Sequence, residues 1–360
     1  MSSAERQVKN VPGRKTDVSD CQWIQQLHSY GLLRGCFLPD ERIGRLREYC
    51  RQRARLVEFA SREILHMQKA LEQMNVQLHK VLSDITGVSG MKIMRAIVGG
   101  ERSPIALSAM REAGVKKSEA EIVKALSGNY REEHLFTLKQ ALELYDNLQD
   151  KIRECDQKIE EYLWTFESKA DPADHKRGKN GGRRKNQPHF DLEGHLYRIT
   201  GVDLTLIAGI SAQTGQVVLS ECGYDLSGFP TEGHFSSWLG LCPNNRITGG
   251  KVKCRRSRRS QNRVATALRI AAQSLHHSQS ALGAFYRRMN ARLGPAKAIT
   301  ATARKLACLI YRMLRYGMEY VDAGQQEYER RYREQQLKSL KTRAAAFGYA
   351  LVHTETGVVS

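Results

Sequence analysis

The sequence predicts a mainly α-helical protein built on a long antiparallel coiled-coil hairpin followed by a mostly helical domain. Three observations carry this. Two long stretches repeat apolar residues in alternating steps of three and four, a glycine-rich basic segment interrupts the chain after them, and helical spacing resumes beyond it. In order along the chain, Val11-Pro12-Gly13 is a turn, and Asp17 to about Leu33 reads as one helix ended by Gly31 and Gly35. Residues 1–40 are too few for a core of their own and must pack on something else. From about Glu41 to Leu82, Met67, Leu71, Met74, Leu78 and Val81 form one seam. Leu135, Leu138, Leu142, Tyr145, Leu148, Ile152, Cys155, Ile159 and Tyr162 form the matching one, so residues 41–167 read as a hairpin with a helical insertion that begins at Asp84–Gly90. Such seams serve packing and also suit dimerisation.

Residues 168–195 break the pattern. Lys176-Arg177-Gly178-Lys179-Asn180-Gly181-Gly182-Arg183-Arg184-Lys185 has no apolar residue and reads as a basic flexible linker, or as an arm on phosphates. A helical domain is expected over 196–322, and a charged helix with a weakly specified tail over 323–360.

Lysine and arginine total 57 against 38 acids, a net charge of +19, which calls for a polyanionic partner. No apolar run reaches the roughly 18 residues of a membrane helix, so no membrane partner is expected and the protein reads as cytoplasmic, associated with the nucleoid. Cys21, Cys36, Cys50, Cys155, Cys222, Cys242, Cys254 and Cys308 form no CxxC pair or zinc spacing and read as reduced thiols.

Four segments could carry chemistry. Ile199-Thr200-Gly201-Val202-Asp203-Leu204-Thr205-Leu206-Ile207-Ala208-Gly209-Ile210-Ser211 looks like a helix-hairpin-helix, in which the N–H groups of Gly209, Ile210 and Ser211 face a phosphate; an ordinary turn between helices reads the same way. Between Arg246 and Arg269 lie nine cations and no acid: Arg246, Lys251, Lys253, Arg255, Arg256, Arg258, Arg259, Arg263 and Arg269. A solvated face mixes signs, so this block reads as a phosphate contact, anchored by a helix whose Val264, Ala267, Leu268, Ala271 and Leu275 face the core. Within it, Ile247-Thr248-Gly249-Gly250 puts a hydroxyl beside two glycines among cations; Thr248 is either a nucleophile toward phosphorus or part of a turn. Asp17 and Asp20, three apart, can share a divalent cation such as Mg2+ or simply cap the helix that they start.

Taken together, Pro12-Gly13-Arg14-Lys15-Thr16-Asp17-Val18-Ser19-Asp20, the Gly201–Gly209 element, Ser237-Trp238-Leu239-Gly240-Leu241-Cys242-Pro243 and Ile247-Thr248-Gly249-Gly250-Lys251 resemble the DEDD-type insertion-sequence transposases of the IS110 family, over about residues 8–320. The resemblance implies a resolvase-like domain of ribonuclease H fold, of which residues 1–40 would be the C-terminal part. It also implies a coiled-coil hairpin and a C-terminal transposase domain that cut and rejoin DNA strands. Asp17 and Asp20 match the last two of four acids that bind Mg2+, and Thr248 matches the serine nucleophile. A structured bridge RNA is an implied second partner, and a dimer or tetramer the implied assembly. The chain starts just before the third acid, so its metal site is expected to be incomplete and its activity impaired. The alternative expectation is a non-catalytic remnant that still binds DNA or RNA.

Overall fold

A computed structural model describes residues 17–32, 37–175, 185–243, 246–249, 251–254, 257, 262–317, 323–350 and 352, with only the backbone for 246–248 and 251–254. The chain divides into two compact units, one of residues 46–163 with 182–190, the other of residues 1–45, 164–181 and 191–360.

The first unit is the helical hairpin. α2 (Glu41–Gln73) and α7 (Glu132–Trp164) are each 33 residues long. Their direction follows from which residues meet. The rings of Tyr49 and Tyr162 lie 5.6 Å apart, Arg53 is bonded to Asp156, and the Asn129 N–H donates to the Met74 carbonyl at 2.9 Å. As numbers rise on α2 they fall on α7, so the helices run antiparallel. The seams named above supply the core: Met67, Leu71, Met74 and Leu78 from one side, and Leu138, Leu142 and Ile152 from the other, are all buried. The insertion consists of α3 (Leu78–Val81), α4 (Val88–Val98), α5 (Pro104–Ser108) and α6 (Glu119–Ala125). α6 begins with a capping box, in which Ser118 accepts from the Glu121 N–H and Glu121 returns to the Ser118 N–H.

One charge pair interrupts this core. Asp156 is 1% exposed and Arg53 is 8% exposed. Their hydrogen-bonded pair also holds the chain at 185–190. The other Asp156 oxygen accepts from the His189 N–H at 3.1 Å, and an Arg53 nitrogen donates to the Asn186 carbonyl at 3.1 Å. The span 168–195, expected to be a flexible linker, is therefore structured at both ends. At its start the Lys169 N–H donates to the Arg198 carbonyl at 2.7 Å, and the His175 ring is 3.0 Å from the Asp203 carboxylate. Its last residues open a helix. The basic core of the span, 176–184, lies outside the described residues.

The second unit holds α1 (Asp17–Ser29), α8 (Leu192–Thr200), α9 (Ala212–Cys222), α10 (Glu232–Trp238), β1 (Arg246–Thr248), β2 (Lys251–Cys254), α11 (Arg263–Ser274), α12 (Ala281–Leu293), α13 (Pro295–Tyr316) and α14 (Gly324–Ala346). α13 is the central element: Ala303, Leu306, Ala307, Ile310 and Tyr311 bury one face against Leu268, Phe235 and Leu239. The Tyr311 hydroxyl donates to the buried Phe229 carbonyl at 2.7 Å. The segment after α1 joins this core as well, with Phe37 4.6 Å from the Phe229 ring and 5.4 Å from Trp238. No helix among the described residues is long and apolar enough to cross a membrane.

Candidate nucleic-acid interface

Residues 246–254 of the basic block form a two-stranded hairpin between two buried anchors. On the entry side Leu239 and Leu241 are sealed in the core; on the exit side Val264 and Leu268 of α11 are fully buried. Burying each such side chain contributes roughly 1.5–3 kcal/mol, which fixes the hairpin's base. Thr248 pairs with Lys251, Ile247 with Val252 and Arg246 with Cys254, with an irregularity beside Arg246. Two glycines connect the strands. Gly249 has φ of +56° and open space around the position of a Cβ, so the tip leaves the backbone approachable. A bridge between Pro243 and Ser257 closes the wide end.

Arg246, Lys251 and Lys253 thus sit on the strands, Thr248 at the end of β1, and the exposed Arg263 at the first position of α11. The first turn of α11 has no acid, and Asn262 caps it by accepting from the Ala265 N–H at 3.2 Å. That helix end adds partial positive charge beside the hairpin. Arg255, Arg256, Arg258 and Arg259 lie outside the described residues. The first part of the block is thus a pair of strands, where its charge run alone suggests a turn leading into a helix. A signal for strands is present in the sequence: Arg-Ile-Thr, Gly-Gly and Lys-Val-Lys alternate polar and apolar residues across a two-glycine connection.

The 199–211 element is a second backbone device. α8 ends at Gly201 in the left-handed conformation, a single 3-10 turn follows at Leu204–Leu206, and Ser211 caps α9 by accepting from the Thr214 N–H at 3.2 Å. Gly209, with φ of +89°, packs so close to α11 that a Cβ there would meet the Ala271 carbonyl at 3.0 Å. One expectation is corrected. The Ile210 N–H donates to the Ile207 carbonyl at 2.9 Å and its side chain is buried, so it faces no phosphate. The amides of Gly209 and Ser211 remain as candidates. Eight residues of α11 separate Arg263 from Ala271, an axial distance of roughly 12 Å. The hairpin and this loop therefore belong to opposite ends of one rigid helix.

Asp17 and Asp20 lie in the first turn of α1. Among the described residues no group of three or more His, Cys, Asp or Glu side chains is arranged to hold a metal ion. These two carboxylates alone do not fit a Mg2+ centre for phosphodiester chemistry.

Residues 203–287 match the family model described as Transposase IS116/IS110/IS902 family, and residues 2–76 match a model of DEDD-type IS110 transposases, described as Transposase. The first match spans the loop at Gly209, the whole β-hairpin, α11 and the start of α12. An uncharacterized 43.6 kDa protein of insertion element IS110 from Streptomyces coelicolor is 29% identical over 119 residues, covering 32% of this chain and 29% of that protein. The stretch shared with this relative is thus under a third of its length. The two matched segments and the shared stretch are similar to insertion-element transposases. The chain belongs to the IS110 family of insertion-element transposases.

Proposed function

We propose that the chain acts on DNA as a strand-cutting and strand-rejoining transposase, with the β-hairpin as the surface that meets the scissile strand. The observation that supports this reading best is the hairpin itself, an acid-free cationic ribbon with an approachable glycine tip, fixed at both ends in the core. Its cations neutralise backbone phosphates without reading bases. Thr248 supplies the nucleophile. Its hydroxyl oxygen bonds to phosphorus as a P–O bond of the strand breaks, the hydroxyl proton leaves to base, and the freed strand end keeps the displaced oxygen. The cationic surroundings favour the charge that develops on phosphorus. Gly209 and Ser211, roughly 12 Å along α11, sit about three to four nucleotides away at 3.4 Å per nucleotide, within reach of the same strand. Asp17 and Asp20 would contribute to a Mg2+ site only with further carboxylates.

The same chemistry accommodates a structured RNA guide as a second polyanion. The seams of α2 and α7 suit a coiled-coil hairpin that pairs copies into a dimer or tetramer, and the working location is the nucleoid. A second reading, a DNA- or RNA-binding protein without strand transfer, draws support from threonine standing where the family resemblance places serine.

The test is trapping of covalent protein–DNA product under denaturing conditions on paired donor and target DNA. Thr248→Ala should abolish the product while retaining DNA binding, and Thr248→Ser should retain it. Product formation by Thr248→Ala refutes the assignment. Binding without product in the parent chain selects the non-catalytic reading.

A further inference from the structure

A second cluster of cations lies in the second unit, on α12 and α13 beside α14. Arg288 of α12 stacks over Tyr332 at 3.9 Å, Tyr328 at 5.1 Å and Phe285 at 5.7 Å. Lys305 of α13 lies 4.6 Å from the Phe285 ring and 5.5 Å from that of Tyr328. Two positive charges thus share the same two rings. Among the described residues no carboxylate pairs with either. The glutamates that α14 brings nearby in sequence are committed elsewhere: Glu327 to Arg330 and Arg331, Glu334 to Arg330, and Glu329 to the Gln325 amide. α14 therefore presents tyrosines to these cations.

Aromatic faces attract a cation by about 0.5–2 kcal/mol, yet they carry no net charge and accept no strong hydrogen bond. Positive charge is left over in a half-buried place, and burial, then Arg288, hold the Lys305 ammonium below its usual range. Two donors are also left over. Arg288 Nε and the Tyr328 hydroxyl are both screened from solvent and have no hydrogen-bond partner. The walls are held in place: an Arg287 nitrogen donates to the Gln325 side chain at 2.7 Å, and the Gln325 N–H to the Gln279 carbonyl at 3.1 Å. The missing partner must be anionic, rich in acceptors and in need of no donor in return. A phosphodiester has these properties.

We propose that Arg288 and Lys305, with the Tyr328 hydroxyl as an uncommitted donor beside them, bind a backbone phosphate of the nucleic acid, on elements other than the β-hairpin. This rests on the nucleic-acid-binding reading above. A second phosphate site on three packed helices would fix the orientation of a strand that the hairpin alone could only grip.

The experiment measures binding of the full chain to a labelled DNA duplex and to a labelled single-stranded RNA across a salt series, for the parent and for the Arg288→Gln, Lys305→Gln double variant. With one phosphate fewer neutralised, the salt slope should fall by about 0.9 on duplex DNA or about 0.7 on a single strand, roughly a threefold affinity change between about 50 and 200 mM salt. The probe whose slope falls identifies the source. Arg330→Gln, on the glutamate-paired side of α14, should leave both slopes unchanged. In the parent chain, amine acylation of Lys305 should be suppressed by the oligonucleotide that binds and not by its uncharged methylphosphonate analogue. Unchanged slopes in a folded double variant overturn the proposal, as does Lys305 protection by an acidic peptide but by no oligonucleotide. If hairpin substitutions lower the slope and these do not, this site alone fails; if neither does, the nucleic-acid reading fails with it.

Discussion

The helical hairpin and the β-hairpin are both rich in charge and use it in opposite ways. On α2 and α7, and at the start of α6, cations face acids one turn away: Arg62 with Glu58 at 2.6 Å, Lys117 with Glu121 at 2.8 Å, Lys151 with Glu154 and Lys158 with Glu161 at 2.9 Å. These pairs are exposed and contribute about 0–1 kcal/mol each. They solvate two long helices whose charges nearly cancel, eight basic and five acidic residues on α2 against four and nine on α7. The segment around β1 and β2 has no acid over 24 positions, 246–269. On the proposed function, charge is thus a surface finish in one region and a phosphate contact in the other. The +19 excess of the whole chain calls for a polyanionic partner without locating it; the unpaired, acid-free run is what makes the β-hairpin the proposed contact.

The largest expected effect tests the one place where the helical hairpin departs from this description. Asp156→Ala removes the partner of buried Arg53 and the acceptor of the His189 N–H. Leaving a buried charge unpaired costs about 3–5 kcal/mol, read as a shift of the denaturation midpoint. Asp156→Asn, which keeps acceptor and shape, should cost less. Equal loss in both variants would mean that the carboxylate charge carries the whole contribution and the retained acceptor and shape carry none.

A smaller effect bears on the comparison directly. Replacing Arg246, Lys251, Lys253 and Arg263 by glutamine should lower the salt slope of DNA binding by about 0.9 for each phosphate that is no longer neutralised. Replacing Lys151 and Lys158 should leave it unchanged. If the paired helix lysines prove to control the slope, the division between the regions collapses.

Much of this organisation is legible in sequence, and the exceptions have physical causes. The seam residues Met67, Leu71 and Met74, and Leu138, Leu142 and Ile152, are buried as their three-four spacing demands, because a helical period leaves a strong trace over 33 residues. Asp156 is invisible on that seam, since a buried carboxylate reads as a solvated one until its arginine is placed 103 positions away. The strands at 246–254 are three and four residues long, too short for alternation to stand out from a charge run. Ile210 looks like a phosphate ligand in sequence because only the fold shows its amide turned onto Ile207. The Arg288, Lys305 and Tyr328 cluster is spread over three helices and has no linear motif.

Loss of the α6 cap is a milder perturbation of the neutral region. Ser118→Ala removes the acceptor for the Glu121 N–H and should cost about 0.5–2 kcal/mol, visible as faster amide exchange at residues 119–126.

The smallest effect is a pH dependence in the same capping box. The Lys117 ammonium, then the Ser118 N–H and hydroxyl, hold the Glu121 carboxyl down at about 2, against an ordinary value near 4.5. A carboxylate whose folded pKa is depressed contributes stability that is full above its unfolded pKa and is lost as pH falls toward the folded one. Protection of the α6 amides should therefore decline from about pH 5 to about pH 2 in the parent chain. In Glu121→Gln it should be weaker at neutral pH and flat across that range. The carboxyl is fully exposed, so the difference should be slight and should shrink further with added salt. DNA binding measured beside it should ignore Glu121 altogether, because a neutralised helix face carries no field for a phosphate to feel. A change in DNA affinity on titrating this one group would show that the charge pairs of the helical region are not the inert finish that their spacing makes them.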